Sequence, residues 1–457
     1  MTRRTRIAAI GAVALLVGAS SASAHGIGER GDLPLPKTFF IWAAALAVVL
    51  SFLIAAMKRT ATPSDADDIG YRVGHWTVIV RTLISPFLRA IGLLALGVTI
   101  AAGFGGDQNI DANIAPVLLF VVLWIGVVWL SGLLGDIWRM LNPWDTLAMI
   151  GSGRVGGASE PDVADRSLRF SYWPAAVGLF MFQWFELAHP EPGKPQNVAI
   201  AVSAYTIVML GCAARYGRVW LQTGEAITVL CRLVAAIAPI GRDSEGELRL
   251  RWPFVGLTTV DQRRGIAAVV LTVLGGTTFD GMSRSAWYSD MVNGMASWPR
   301  AAVNTLFLVL CIAVLAGLYL LTTRLVARWG GGGAEGIANR YAPTLVPIAL
   351  AYSGAHYFSL LVFEGQRLGY LISDPAGLGW DLFGTLDASI DYTVVSTGTI
   401  AVVQTVAIVV GHAAAVFLAH DRALKDFGQQ RAALSQVPML ILMIALTIIG
   451  LTLLLSA

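Results

Sequence analysis

Ten apolar runs, each near the roughly 20 residues that a helix needs to cross a bilayer, occupy most of the chain at 38–57, 84–103, 114–134, 170–189, 197–214, 265–283, 300–322, 343–363, 393–418 and 435–456. Backbone amides find no water in hydrocarbon, so runs of this length must be helices rather than strands. The expected fold is therefore all-α, a polytopic transmembrane helix bundle. Composition agrees: 56% of the 457 residues are hydrophobic and 13% are charged, about half the charged share of a soluble domain. The formal net charge is only +3, and no zinc finger, RNA-binding aromatic motif or basic helix is present. Nucleic acid is excluded as a partner, and the lipid bilayer takes its place.

Residues 1–24 read as a secretory signal peptide. Arg3, Arg4 and Arg6 precede an apolar run from Ile7 to Ala19 that is too short to span, and Ala22-Ser23-Ala24 supplies a small-residue cleavage site. The mature chain then starts at His25 and forms one transmembrane domain, 25–457. With that end outside, successive loops alternate sides, and their basic residues test the arrangement independently of hydropathy. Loops assigned to the inside hold 22 of the 32 Lys and Arg residues, against six outside. This bias satisfies the positive-inside rule and places both mature ends outside a bacterial inner membrane. Three connections, 135–169, 215–264 and 364–392, are too long for simple turns. The first carries Asn142-Pro143-Trp144. The second contains the apolar piece Ala226 to Ala238, sized for an interfacial or re-entrant helix. Cys212, Cys231 and Cys311 form no CxxC pair and imply no disulfide framework.

An ionisable side chain within a membrane helix costs several kcal/mol, so those present are functional candidates by default. Glu186 and His189 close the outer end of the fourth run, Asp280 lies near the outer end of the sixth, and His356 with Glu364 occupies the outer part of the eighth. All sit at a common depth. Glu186 and His189 are three residues apart and share a helix face, the spacing that lets both reach one metal. Alone, that spacing fits a helix end in which His189 meets headgroups and Glu186 pairs with an arginine. Adding Asp280 and His356 gives a set that suits a divalent ion, zinc or another transition metal. The competing readings are a proton relay or a polar packing network.

Cleavage after Ala24 would leave His25 with a free amine beside its imidazole, a chelating pair that suits copper, or else a solvated terminus with no role. The stretch from Glu364 to Asp391 is acidic and would attract cations, and its amphipathic piece from Gly365 to Pro375 reads as a lid over the outer site or as an ordinary interfacial loop. Gln404, His412 and His420 follow at eight-residue intervals along the ninth run. They form a stripe fit for a proton path, or for interhelical hydrogen bonds. Gly151-Ser152-Gly153-Arg154-Val155-Gly156 matches GxGxxG but follows no strand, so it reads as a flexible inner loop; P-loop, HExxH and GxSxG signatures are absent.

His25-Gly26-Ile27-Gly28, Asp32-Leu33-Pro34-Leu35-Pro36, Asn142-Pro143-Trp144, Phe279-Asp280-Gly281, Ala355-His356-Tyr357-Phe358, Ser373-Asp374-Pro375, Gly411-His412 and the stretch from Leu418 to Leu424 together resemble the bacterial multi-pass membrane proteins called fenitrothion hydrolases. The resemblance spans nearly the whole mature chain. It implies hydrolysis of an organophosphorus triester at its aryl ester bond, on an apolar small-molecule substrate, with a possible second membrane subunit. A metal at the outer site would then lower the pKa of a bound water and polarise the phosphoryl group. In that reading Glu186, His189, Asp280 and His356 are ligands or base, His25 is an additional ligand, and Glu364 either supports a ligand from behind or accepts protons. The alternatives are a metal-ion or small-solute transporter, favoured by the acidic loop and the polar stripe, and a structural subunit of a membrane complex.

Overall fold

A computed structural model describes residues 37–58, 60–61, 70–151, 170–333 and 335–456. The expected signal peptide, His25 and all of the glycine-rich motif beyond Gly151 lie outside the described residues. Among them, nine helices are long and apolar enough to cross a membrane. In chain order the spanning elements are α1 (Lys37–Ala56), α2 (Gly74–Gly105), α3 (Ile114–Leu134), α6 (Pro195–Tyr216), α8 (Ile266–Ser283), α9 (Ser297–Gly330), α10 (Val346–Glu364), α11 (Thr397–Ser435) and α12 (Val437–Ser456). The run expected at 170–189 is helical but shorter: α5 covers Trp173–Leu187, 15 residues, with Pro174 in its first turn and Pro190 just beyond its end. Three strands of two or three residues, β1 (Tyr71–Arg72), β2 (Ile240–Arg242) and β3 (Leu248–Leu250), form one small antiparallel sheet in the order β1-β3-β2. The protein is an all-α polytopic bundle.

Contacts between loops confirm that the helices alternate direction. At one end, here called the lower face, Lys58 pairs with Asp421 at 2.5 Å, the Tyr172 amide donates to Arg264 O, and β1 joins β3. At the opposite, upper face the Asp107 amide donates to Ala376 O, Gln196 N to Gln108 Oε1, and Asn304 Nδ2 to Leu187 O.

Close helix packing relies on small residues, because lipid gives helices no hydrophobic reason to associate. A Cβ on Gly411 of α11 would lie 2.7 Å from Pro347 O and 2.3 Å from Ala351 Cβ, so α10 and α11 touch backbone to backbone. Gly276 of α8 makes room in the same way for the buried amide of Gln183 from α5. The helix α11 runs well past the expected 393–418 and breaks at Gly428, whose φ of 71° is available cheaply only to glycine.

The apolar piece in the long lower loop is re-entrant rather than interfacial. It forms α7 (Ala226–Ala235), with every residue buried except the half-buried Arg232. The chain leaves α6 at the lower face, climbs to Glu225, and returns through α7 to β2 on the same face. Tyr205 of α6, ten residues or about 15 Å up the helix from Pro195, donates its hydroxyl to Glu225 Oε1 at 2.7 Å, so the turn reaches the middle of the bundle. Glu225 is fully buried and caps α7: its carboxylate also accepts from the amides of Ile227 and Thr228, the Thr228 hydroxyl, Trp138 Nε1 and Asn142 Nδ2. Six donors and the positive end of the helix stabilise a charge that lipid alone would not tolerate.

Asn142-Pro143-Trp144 lies beside this turn. The Asn142 side chain accepts from the Asp145 amide at the start of α4 (Pro143–Gly151). Asp145 in turn is gripped by Arg218 through two bonds of 2.5 and 2.7 Å and by Arg89 at 3.0 Å. Burial opposes the charge on Asp145, but the two guanidinium groups outweigh it and hold the carboxyl below its usual range.

Candidate acid–base site

Near the upper ends of three helices the chain gathers the polar groups that hydrocarbon makes expensive. Asp280 of α8 is 3% exposed and His356 of α10 is 6% exposed, and Asp280 Oδ2 lies 2.7 Å from His356 Nε2. An ionised carboxylate only accepts, so Nε2 carries the proton in this contact. Asp280 Oδ2 also accepts from the Tyr357 hydroxyl at 2.8 Å, while Oδ1 lies 3.2 Å from Nε of Arg284, one helical turn further along α8. Tyr357 reaches on to Glu186 Oε1 of α5 at 3.4 Å. The Tyr352 ring lies parallel to His356, with centroids 6.2 Å apart. Its hydroxyl faces Gly281, where a Cβ would approach to 2.8 Å.

Of the residues expected to converge, Glu186, Asp280 and His356 therefore do so. They meet through hydrogen bonds, with Tyr357 between Glu186 and the pair. Two buried oxygens, Glu186 Oε2 and the Tyr352 hydroxyl, have no hydrogen-bond partner among the described residues. An unpaired buried carboxylate oxygen costs free energy unless it binds a proton, a water or a ligand.

His189 stays apart. Its Nδ1 accepts from the Glu191 amide at 3.2 Å and its ring packs among Trp184, Phe185 and Trp298. The helix α5 ends at Leu187, so the i, i+3 spacing that would align His189 with Glu186 is not realised. Glu364 is also elsewhere: it pairs with Arg367 at 2.5 Å, and Arg367 pairs with Asp111. The acidic stretch following it docks Leu371 and Ala376 against Ile114 and Val117, at the tops of α2 and α3. Its Asp374 caps a turn through the amides of Leu378 and Gly379.

Gln404, His412 and His420 share α11 but are not joined to one another. Gln404 Nε2 donates to Ala355 O at 2.9 Å, next to His356 in sequence. His412 Nδ1 bonds to Ile408 O on its own helix, and His420 Nε2 lies 3.5 Å from Lys58 O. The other ring nitrogens, His412 Nε2 and His420 Nδ1, are buried without hydrogen-bond partners among the described residues.

Both oxygens of Asp280 are engaged by proton donors, one of them the positively charged Arg284. Among the described residues no group of three or more His, Cys, Asp and Glu is arranged to hold an ion. His25 lies outside those residues.

Arg284 and Tyr357 are the site members that the spacing of ionisable residues does not single out. Arg284 had a signal, since it stands four residues after Asp280 on one helix face. Tyr357 had none beyond adjacency to His356, because neutral tyrosine is a common filler of membrane cores. Comparison with protein-family models, with curated proteins and with solved structures finds no significant match.

Proposed function

We propose that this chain is a multi-pass protein of a bacterial inner membrane, with its mature ends outside, in which Asp280 and His356 bind and release a proton to drive passage of a small solute. The observation that carries this reading is the hydrogen-bonded line Glu186–Tyr357–Asp280–His356, which ties together three separate helices and ends on a carboxylate oxygen with no hydrogen-bond partner among the described residues. Ionisable groups facing the interior of a membrane bundle are costly to desolvate and often mark proton and substrate paths. Adding a proton to Asp280 removes the charge that holds His356, Tyr357 and Arg284. The grip between α8 and α10 then loosens, and occupancy is linked to helix position.

Hydrolysis of an apolar phosphotriester is the second reading. The geometry that favours it is the carboxylate behind an imidazole, which orients a ring as general base toward water. The resemblance to fenitrothion hydrolases points the same way, and a second membrane subunit is compatible with both readings.

Purified protein in liposomes separates them. Under an imposed pH gradient, proton movement recorded by an internal pH dye and dependent on an added solute supports the carrier. Phenolate release from fenitrothion without such movement supports the hydrolase. Loss of neither signal in Asp280→Asn would reduce the cluster to a packing device.

A further inference from the structure

On the lower face, far from Asp280, an open cleft of about 660 Å³ lies between α2, the turn after α3, α7 and the small sheet. Five arginines line it: Arg139, Arg232, Arg242, Arg249 and Arg251. Three of them are held by neutral oxygens, while Arg249 is paired with Asp243 at 3.1 Å. Arg251 donates to Ala238 O and Ala235 O at 3.2 and 3.1 Å, Arg242 to Gly246 O at 2.8 Å, and Arg232 to Gln222 O at 3.1 Å and to the Tyr172 hydroxyl. Of the two acids in the lining, Asp261 is paired with Arg263, and Asp136 faces Arg139, Arg232 and Arg242 together. Positive charge is in excess.

The opposite wall is apolar. Trp76, Val80 and Leu134 contribute to it, and Trp76 and Leu134 are each about half exposed. Burial, and for Arg242 the neighbouring Arg139, lower the affinity of Arg242 and Arg251 for their own protons, the penalty a bound anion would relieve.

We propose that this cleft binds a phosphate-type anion, seated on the arginines with its ester substituent along the Trp76 and Leu134 wall. The same chemistry is offered by the headgroup of an anionic phospholipid and by a soluble phosphate. Basic pockets beside membrane helices hold acidic headgroups through charge and short hydrogen bonds. This proposal is independent of the acid–base site.

The test uses the full-length protein in detergent, with bound lipid counted by native mass spectrometry. Phosphatidylglycerol, phosphatidylcholine and inorganic phosphate are titrated separately. Retention of phosphatidylglycerol over phosphatidylcholine, weakened about thirtyfold in the double variant Arg139→Gln, Arg242→Gln, is the expected result. Arg324→Gln, which removes an exposed arginine of α9 outside the cleft, should leave retention unchanged. Displacement of the lipid by millimolar inorganic phosphate supports the anion site and names soluble phosphate as the occupant. Equal retention of both lipids, or no loss in a double variant that melts at the wild-type temperature, would overturn the proposal. Should the double variant fail to fold, Arg139→Gln alone, at a side chain that holds no backbone carbonyl among the described residues, carries the same test with a smaller expected loss.

Discussion

Asp280 and His356, 76 residues apart in the chain and on different helices, meet at 2.7 Å inside the upper half of the bundle. Among the described residues the other ion pair of this couple is with Arg284, which holds the second oxygen of Asp280. The two side chains thus act as one unit.

If they do, their variants should not add. Asp280→Asn and His356→Gln should each lower solute-coupled proton flux, or phosphotriester turnover, about 100-fold, and the double variant should be no worse than either single one. His189→Gln, at a ring that sits in an aromatic cluster away from the pair, should stay within about twofold of wild type. Additive losses across the double-mutant cycle would contradict a shared unit.

Glu225 should matter for folding rather than for activity at Asp280. Replacing it by alanine strips a cap from α7 and leaves the Tyr205 hydroxyl and the Trp138 indole buried without the acceptor they now share, a loss of roughly 3 kcal/mol. The melting temperature in detergent should fall, and hydrogen exchange should accelerate first at the amides of Ile227 and Thr228.

Acid should weaken the lower face through Asp145. Its folded pKa is depressed by Arg218 and Arg89 against the cost of burial, so its contribution is complete above the unfolded value near 3.8 and is lost as pH falls through the folded one. Melting curves from pH 6 downward should show a decline below about pH 4 that Asp145→Asn lacks. The variant itself should be less stable at neutral pH.

Gly354 faces the Trp129 indole so closely that an added Cβ would lie 1.3 Å from Cζ2. Gly354→Ala should therefore cost about 2 kcal/mol or more, by pushing α10 away from α3. Because α10 also carries His356 and Tyr357, the same variant should reduce activity along with stability. Gly317→Ala, where nothing lies within 4 Å, is the matching control and should be neutral.

The helices were legible in the chain because one physical constraint dominates each of them. A run of some 20 apolar residues has no stable alternative in lipid, and the periodicity of the partner helix is irrelevant to that. Alternation of basic loops likewise needs no tertiary information. The common depth of Glu186, Asp280 and His356 was readable for the same reason, since distance from a helix end follows from residue count at 1.5 Å per residue.

Azimuth was not readable. Whether a side chain at a given depth faces a neighbour or lipid depends on how each helix is rotated, and small residues such as Gly276, Gly354 and Gly411 set that rotation through contacts between distant segments. So the tertiary structure alone brought Tyr357 between Asp280 and Glu186, turned His189 into an aromatic cluster, and sent Glu364 to Arg367. It also turned the apolar piece after Glu225 inward, where six donors from three separate segments make a buried carboxylate tolerable. Solvent transfer is a property of each segment by itself and is written in its composition; hydrogen-bond satisfaction is a property of segments meeting, and only their packing determines it.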